Sequence, residues 1–472
     1  MYYKFYRNCM KRTKIVATIG PASESPEVLK GLSKAGVNVF RLNFSHGTHK
    51  EHEAKIDLIR QLNLPGGIML DTKGPEIRTG EVRGEVPVNI GDKIIFTIDK
   101  GVYEDTGKIS INYKEFINDV KVGTIIVVDS GVIDAKVMEI HGHDIICRVV
   151  KGSGKITTKR HVNLMGEHVS LPTITENDLD DINFGIKKKV DFIALSFTRT
   201  AKDIEDLREY CKKKGHVPHI IPKIENGEAV ENLEEIVKVS DGIMVARGDL
   251  ACEIPFAKVP QIQKQIIELC DMYSKPVIIA TQMLLSMVDN ITPTRAEVSD
   301  VANAVYEGAD AVMTSDETTK GFDPVNVIQV MNDIVSTNEE EFIINSYNNS
   351  IDNDELNVEM IKSTVRAIDY TCGVDSIIVL TKSGRMAEYI STEKPSCPIF
   401  AFTDNDLAKN TMSLLWGVYP EVMNFDENDY EKTIQVALNY VKSQFGCKRC
   451  LLISYYKANT NKKYPLINIR DL

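Results

Sequence analysis

The sequence predicts an α/β protein: a TIM-type (β/α)8 barrel interrupted by an inserted β-barrel lid and followed by a smaller α/β domain. Three observations carry that expectation. Short β-branched runs alternate with helix-like segments through eight units. The alternation breaks once, after Arg78, and resumes after Pro172, with turn-rich strand sequence in between. A polar run over 338–355 is then followed by the same alternation on a smaller scale. A doubly wound sheet shares the local periodicity, but the count of eight favours the barrel.

In order, the first units are KIVATIG (14–20), PEVLKGLSKAG (26–36), VNVFRLNFS (37–45), a charged helix to Leu62, and GGIMLDTKG (66–74). The break contains VPVNIGDKIIFTID (86–99), GTIIVVDSGVIDAKVMEI (123–140) and HDIICRVV (143–150). The rhythm returns with DFIALSF (191–197), HIIPKIE (219–225), DGIMVARGD (241–249), KPVIIAT (275–281) and ADAVMTS (309–315). Three strands before the insert and five after complete the barrel. The last domain shows SIIVLT (376–381), PIFAFT (398–403) and RCLLISY (449–455). The expected boundaries are 1–77 and 172–343 for the barrel, 78–171 for the lid and 344–472 for the C-terminal domain.

Composition narrows the function. At 472 residues, 43% apolar and 26% charged, with a mean hydropathy of −0.16, the chain reads as globular and water-soluble, and no apolar run is long enough to span a membrane. A net charge of −11 and a pI near 5.5 argue against nucleic-acid binding, so an anionic substrate must meet a locally positive pocket. Met1 to Lys14 lacks the apolar core of a secretory signal, and a cytoplasmic location is expected. Cys447 and Cys450 have no second pair to complete a zinc site and read as free thiols. His46, His49 and His52 supply no fourth metal ligand, and the last two read as capping or solvent-facing. KGSGKIT (151–157) lacks the first glycine of a phosphate loop and reads as a turn.

Barrel enzymes place their chemistry at the C-terminal strand ends, and inward side chains recur every second position. Arg41, Asn43 and Ser45 therefore share one face, as do Lys223 and Glu225. Asp71 and Thr72 end the third strand, Arg247, Gly248 and Asp249 the sixth, and Thr281 the seventh, with Ser315 and Glu317 after the eighth. Singly, each has an ordinary explanation: a solvated ion pair, a turn, a helix cap. Together they converge on one rim. Glu225 and Asp249 are hard oxygen ligands suited to magnesium. Arg41, Arg78 and Lys223 suit phosphate oxygens, and Asn43, Ser45, Asp71 and Thr72 suit a large monovalent cation. Phosphoryl transfer needs positioning and charge neutralisation more than covalent help, which is what this set offers.

At these residues the chain resembles the pyruvate kinases. KIVATIGPAS, RLNFSHGTHKEH, DTKGPEIRTG, KIENGEAVENLEEI, MVARGDL, KPVIIATQML and PTRAEVSDVANAV read as family segments in family order. The resemblance implies transfer of the phosphoryl group of phosphoenolpyruvate to ADP, giving pyruvate and ATP. It assigns magnesium (or manganese) to Glu225 and Asp249, and potassium to Asn43, Ser45, Asp71 and Thr72. Lys223 would hold the transferring group, Arg41 and Arg78 phosphates, and the N–H groups of Gly248 and Asp249 the substrate carboxylate. Thr281 would assist protonation of the enolate. Nucleotide contacts would come from Pro21, Asn43, His46, Arg78 and Arg160. Glu76 stands where potassium-independent relatives have lysine, which implies potassium. TKSGR, Thr381, Lys382, Ser383, Gly384 and Arg385, resembles the family's effector phosphate loop, although SYYKANTNKKYP (454–465) replaces the glycine-rich loop expected later. A homotetramer is the family's usual assembly.

Ser130, Met165, Ala251, Cys252 and Asp316 depart from the family pattern, and at Ala251 and Asp316 added bulk is expected to strain the backbone or weaken anion binding. These departures support an alternative, a catalytically weakened homologue acting as a metabolite-binding or assembly subunit. A magnesium-dependent aldolase or lyase on the same barrel would need neither Lys223 nor a lid.

Overall fold

The computed structural model describes residues 10–129, 131–339, 356–371, 373–426, 429–457 and 463–472. Ser130, the polar run from residue 340 to 355, and much of 454–465 lie outside the residues or side chains described.

Three strands, β1 (Lys14–Thr18), β2 (Val39–Asn43) and β3 (Gly67–Asp71), precede an all-β insert. Its strands are β4 (Val86–Val88), β5 (Lys93–Thr97), β6 (Ile109–Ser110), β7 (Ile125–Val128), β8 (Ile133–His141), β9 (Asp144–Lys151), β10 (Gly154–Ile156) and β11 (Val162–Met165). Five more strands follow: β12 (Phe192–Leu195), β13 (His219–Ile224), β14 (Ile243–Ala246), β15 (Val277–Ala280) and β16 (Ala311–Thr314). The three and the five close into a barrel in the order β1-β16-β15-β14-β13-β12-β3-β2, and the pairings are parallel. All eight strands fall inside the runs read from the sequence, so the barrel is the fold and the doubly wound sheet is not.

Alternation along the strands explains the barrel's two ends. Val16, Val39, Met69, Phe192, Ala194, Ile221, Met244, Ile278 and Met313 point inward and fill an apolar floor. Two positions further, four of these strands turn polar: Val39 is succeeded by Arg41, Met69 by Asp71, Ala194 by Ser196 and Ile221 by Lys223. The opposite strand faces, including Ile15, Leu42, Leu70, Ile193 and Ile220, pack against the surrounding helices. Reciprocal capping boxes, Thr48 with Glu51, Thr175 with Asp178 and Thr294 with Glu297, fix where three of those helices begin.

The insert folds into a six-stranded sheet, β11-β7-β8-β9-β5-β6, with a two-stranded ribbon, β10-β4. It has its own core, around Phe96, Phe116, Ile126, Val137 and Ile145. KGSGKIT spans the turn between β9 and β10, with Lys151 ending the first strand and Gly154, Lys155 and Ile156 forming the second. Gly152 there has φ 79°, and a Cβ on it would stand 1.9 Å from the Val132 carbonyl oxygen, so the glycine serves the turn.

The C-terminal domain is a five-stranded sheet of β17 (Ser376–Leu380), β18 (Ile399–Thr403), β19 (Val418–Val422), β20 (Arg449–Lys457) and β21 (Lys463–Asp471). The order is β19-β18-β17-β20-β21, with β21 antiparallel at the edge. This domain packs on the foot of the barrel. Leu414 joins the barrel's apolar floor, the Ser413 hydroxyl accepts from Gly67 N–H at 3.1 Å, and Lys14 Nζ donates to Val418 O at 2.6 Å. Cys447 and Cys450 are free thiols, as read. Among the described residues no helix is long and apolar enough to cross a membrane.

Candidate active site

The mouth of the barrel gathers the inward polar residues into one network. Arg41 on β2 donates from Nε to Asp71 Oδ2 at 2.6 Å and from a terminal nitrogen to Thr18 Oγ1 at 2.7 Å. Asn43 and Asp71 sit side by side in the β2–β3 register. Lys223 Nζ donates to Ser196 Oγ at 2.9 Å and lies 3.1 Å from Glu225 Oε2 and 3.5 Å from Asp71 Oδ1. Ser196 Oγ in turn donates to Thr72 O at 2.6 Å, tying β12 to the end of β3. Arg41, Asp71, Thr72 and Glu225 are all buried.

Burial alone would lower the Lys223 pKa, yet the charges of Asp71 and Glu225 hold it above the ordinary lysine value. Asp71 is driven up by burial and more than pulled back by Arg41 and Lys223, so it stays below the usual carboxylate range. Glu225 is pushed up, first by burial and then by Asp249, with Lys223 opposing. The cation is thus fixed in the charged form, and acidic groups crowd around it.

Glu225 and Asp249 fit a hard cation. Glu225 Oε1 accepts the Phe197 N–H at 2.6 Å. Its Oε2 is buried without a hydrogen bond and lies 3.1 Å from the Lys223 ammonium. An orphaned carboxylate oxygen near a second carboxylate would suit a hard cation such as magnesium, whose remaining positions water and substrate could fill. Among the described residues no group of three or more His, Cys, Asp or Glu forms a denser metal site.

The other side of the mouth is built by β14 and β15. Gly248 N–H donates to Thr281 Oγ1 at 2.8 Å, bringing the two together. Arg247 turns away from the mouth: its guanidinium grips Asp300 at 2.8 Å on both oxygens and donates to Thr281 O at 2.8 Å. Thr281 and Gln282 have φ of 70° and 54°, and Phe197, beside Glu225, has 53°. Such left-handed conformations in non-glycine residues persist where surrounding contacts enforce them, and here they cluster at strand ends.

Several expected residues stand apart from this network. Pro21 and His46 are exposed on the loops after β1 and β2. Arg78, where the chain enters the insert, is held by Glu76 at 2.8 Å through two nitrogens and by Lys159 O at 2.7 Å. Arg160 lies on the lid with Thr157 and Asp129. Ser45 N–H donates to Asn43 Oδ1 at 3.1 Å. At the foot-side loop, Thr381 Oγ1 accepts the Gly384 N–H at 3.1 Å, Gly384 caps the helix Arg385–Thr392, and Lys382 and Ser383 are exposed.

Three expectations need correction. His52 is buried rather than solvent-facing: its ring stacks on Phe44 with centroids 3.9 Å apart, and its Nε2 bonds the His46 carbonyl at 2.9 Å. Ala251 lies inside the helix Arg247–Glu253, where alanine is well suited and no left-handed backbone is required. Asp316 opens the helix Asp316–Thr319 and pairs with Lys320 at 3.1 Å, so its charge sits at the favourable end of that turn. One contributor was not selected from the sequence, and another was selected without its role. Ser196 continues the inward series Phe192, Ala194, which could have found it. Glu317, noted only as following β16, is a brace, accepting from Ser315 N–H at 2.7 Å and Leu284 N–H at 3.2 Å.

Comparison with known proteins shows the family. The family described as pyruvate kinase, barrel domain, matches residues 10–328, and that described as pyruvate kinase, alpha/beta domain, matches 359–453. Pyruvate kinase of Sporosarcina psychrophila is 45% identical over 426 residues, covering 88% of this chain and 72% of the relative. Pyruvate kinase isozyme G, chloroplastic, of Nicotiana tabacum is 42% identical over 448 residues, covering 93% and 79%. A solved pyruvate kinase from Cryptosporidium parvum superposes with a TM-score of 0.91 at 35% identity, covering 98% of this chain and 97% of that one. The chain belongs to the pyruvate kinase family.

Proposed function

We propose that the barrel mouth transfers the phosphoryl group of phosphoenolpyruvate to ADP, giving pyruvate and ATP. The observation that carries the reading is Lys223, a partly buried ammonium kept charged by Asp71 and Glu225 and presented where the strands end. Lys223 holds the transferring phosphoryl oxygens, with Arg41 beside it, and a charge fixed in place before reaction costs no reorganisation when charge develops. The Gly248 and Asp249 N–H groups receive the substrate carboxylate, which takes over the bond that Gly248 makes to Thr281 and frees that hydroxyl to serve protonation of the enolate at carbon 3. Magnesium or manganese, held by Glu225 and Asp249, supplies charge neutralisation and alignment of phosphate oxygens.

Asn43, Ser45, Asp71 and Thr72 present oxygens for potassium, and Glu76, already paired with Arg78, brings no ammonium in its place. Pro21, Asn43, His46, Arg78 and Arg160 face the nucleotide as the lid closes. Exposed Phe256, Ile291 and Phe322, on segments after β14, β15 and β16, support burial between copies in a homotetramer. Thr381 to Arg385 remain the candidate effector loop. The weakened-homologue alternative is not favoured, because the ligand set at the mouth is complete. The test is a coupled assay of pyruvate formation from phosphoenolpyruvate and ADP with magnesium, with and without potassium. Potassium-stimulated turnover is expected, and absence of turnover with both metals present would sink the reading.

A further inference from the structure

The insert meets the barrel through an edge strand. β11 ends the six-stranded sheet and pairs only with β7, and alternation along it divides its side chains. Val162 and Leu164 belong to the insert's own core, whereas Asn163 between them points out to the barrel. There Asn163 Nδ2 donates to Glu253 Oε1 at 2.8 Å, and both side chains are buried. Glu253 ends the helix Arg247–Glu253, whose first turn carries Gly248 and Asp249.

A carboxylate is costly at this place. It stands at the negative end of a helix, and burial, with Glu225 and Asp249 adding to it, pushes its pKa up to about 7 against the bond from Asn163. Asn163 is its one hydrogen-bond partner among the described residues. The helix itself is anchored to the barrel, because Arg247 grips Asp300 and Gly248 N–H donates to Thr281 Oγ1. Asn163 is therefore the group that docks, and Glu253 the fixed acceptor. Close packing does not set the register here: a cavity of about 400 Å³ opens beside the bond, lined among others by Asn163, Leu164, Phe197, Asn226 and Glu253. Another pair at the cavity wall, His168 with Glu228 at 2.7 Å, is more open to solvent and correspondingly weak.

We propose that Glu253 is a positioning residue, which through Asn163 sets where β11, and with it Arg160 just before that strand, stands over the mouth. The inference rests on the phosphoryl-transfer reading and on Arg160 meeting the nucleotide. Glu253 acts through the hydrogen bond it accepts, so a glutamine, whose side-chain oxygen also accepts, replaces it. Loss of the bond lets Arg160 drift and is felt by ADP, whereas phosphoenolpyruvate is held by Lys223 and Arg41 on the barrel.

The test is steady-state kinetics of the full-length protein at pH 8 with magnesium and potassium, varying ADP and phosphoenolpyruvate separately. Asn163→Ala and Glu253→Ala should each raise the KM for ADP about tenfold, the scale of a hydrogen bond to a charged group, and leave the KM for phosphoenolpyruvate within about twofold. Glu253→Gln should stay within about threefold of wild type for both. The double alanine variant should be no worse than either single one. Hydrogen exchange of the β11 amides in the unliganded protein should quicken in both alanine variants but not in Glu253→Gln, while the β8 and β9 amides, unchanged, show that the insert is folded. That readout needs no turnover, so an inactive wild type would overturn the phosphoryl-transfer reading and leave the dock measurable. An unchanged KM for ADP in Asn163→Ala, additive losses in the double variant, or equal rises in both KM values would overturn the proposal.

Discussion

The two ends of the barrel both bury charge, and they bury it differently. At the foot, Asp310 accepts from Val277 N–H at 2.9 Å through one oxygen and pairs with Lys394 through the other, so no lone pair of consequence is idle. At the mouth, Glu225 keeps a buried oxygen without a hydrogen bond, and one ammonium is shared among two carboxylates and a hydroxyl. A fully paired buried ion holds two elements in one arrangement, whereas an incompletely paired one retains capacity for a ligand. The contrast supports the proposal of chemistry at the mouth, and it fits domain packing through Asp310 and Lys394 at the foot, in a barrel whose floor between them is apolar.

Substitutions can break or sharpen that contrast. The largest expected effect is at the mouth. Glu225→Gln should lower kcat about 10²–10³-fold, the scale for losing a preorganised electrostatic group, while its melting temperature holds or rises because an unsatisfied carboxylate is gone. Steady-state kinetics beside thermal unfolding checks both halves. At the foot, Lys394→Met should do the reverse, leaving kcat near wild type while costing about 3–5 kcal/mol of stability, since Asp310 is left buried and unpaired. Denaturant unfolding reads that loss.

A smaller effect is expected at Asp191, also at the foot. It accepts hydrogen bonds from Ile68 N–H at 2.8 Å and Asn410 at 3.0 Å but has no ion-pair partner among the described residues, and burial raises its pKa to about 6. Between its unfolded pKa, near 4, and 6 the folded state holds the extra proton, so stability falls as pH rises through that window and is level above it. Asp191→Asn should therefore gain about 1–2 kcal/mol at pH 8 and little at pH 4. The smallest effect belongs to Asp316→Gly. A side chain that points to solvent and pairs with Lys320 should change stability by under about 0.5 kcal/mol.

Strand positions were legible because the barrel's runs are short, β-branched and regularly spaced. The mouth was legible for the same reason: a polar side chain two places after Val39, Met69 or Ile221 breaks an apolar series that the barrel interior otherwise requires. What a period cannot show is who satisfies whom. Arg247 grips Asp300 across 53 positions and Lys394 reaches Asp310 across 84, and nothing local announces either pair. Arg78 reads as a free cation in sequence, yet its neighbour Glu76 occupies it. His52 was misplaced because spacing by threes gives a helix face without saying which face Phe44 will cover.

The most direct test of the account sets the two lysines side by side. Pyruvate formation with magnesium and potassium, and the melting temperature, are measured for wild type, Lys223→Met and Lys394→Met. Lys223→Met should remain folded and lose turnover by about 10²-fold or more, while Lys394→Met should keep its turnover and melt at a lower temperature. Turnover that survives in Lys223→Met would contradict the assignment of phosphoryl transfer to the mouth.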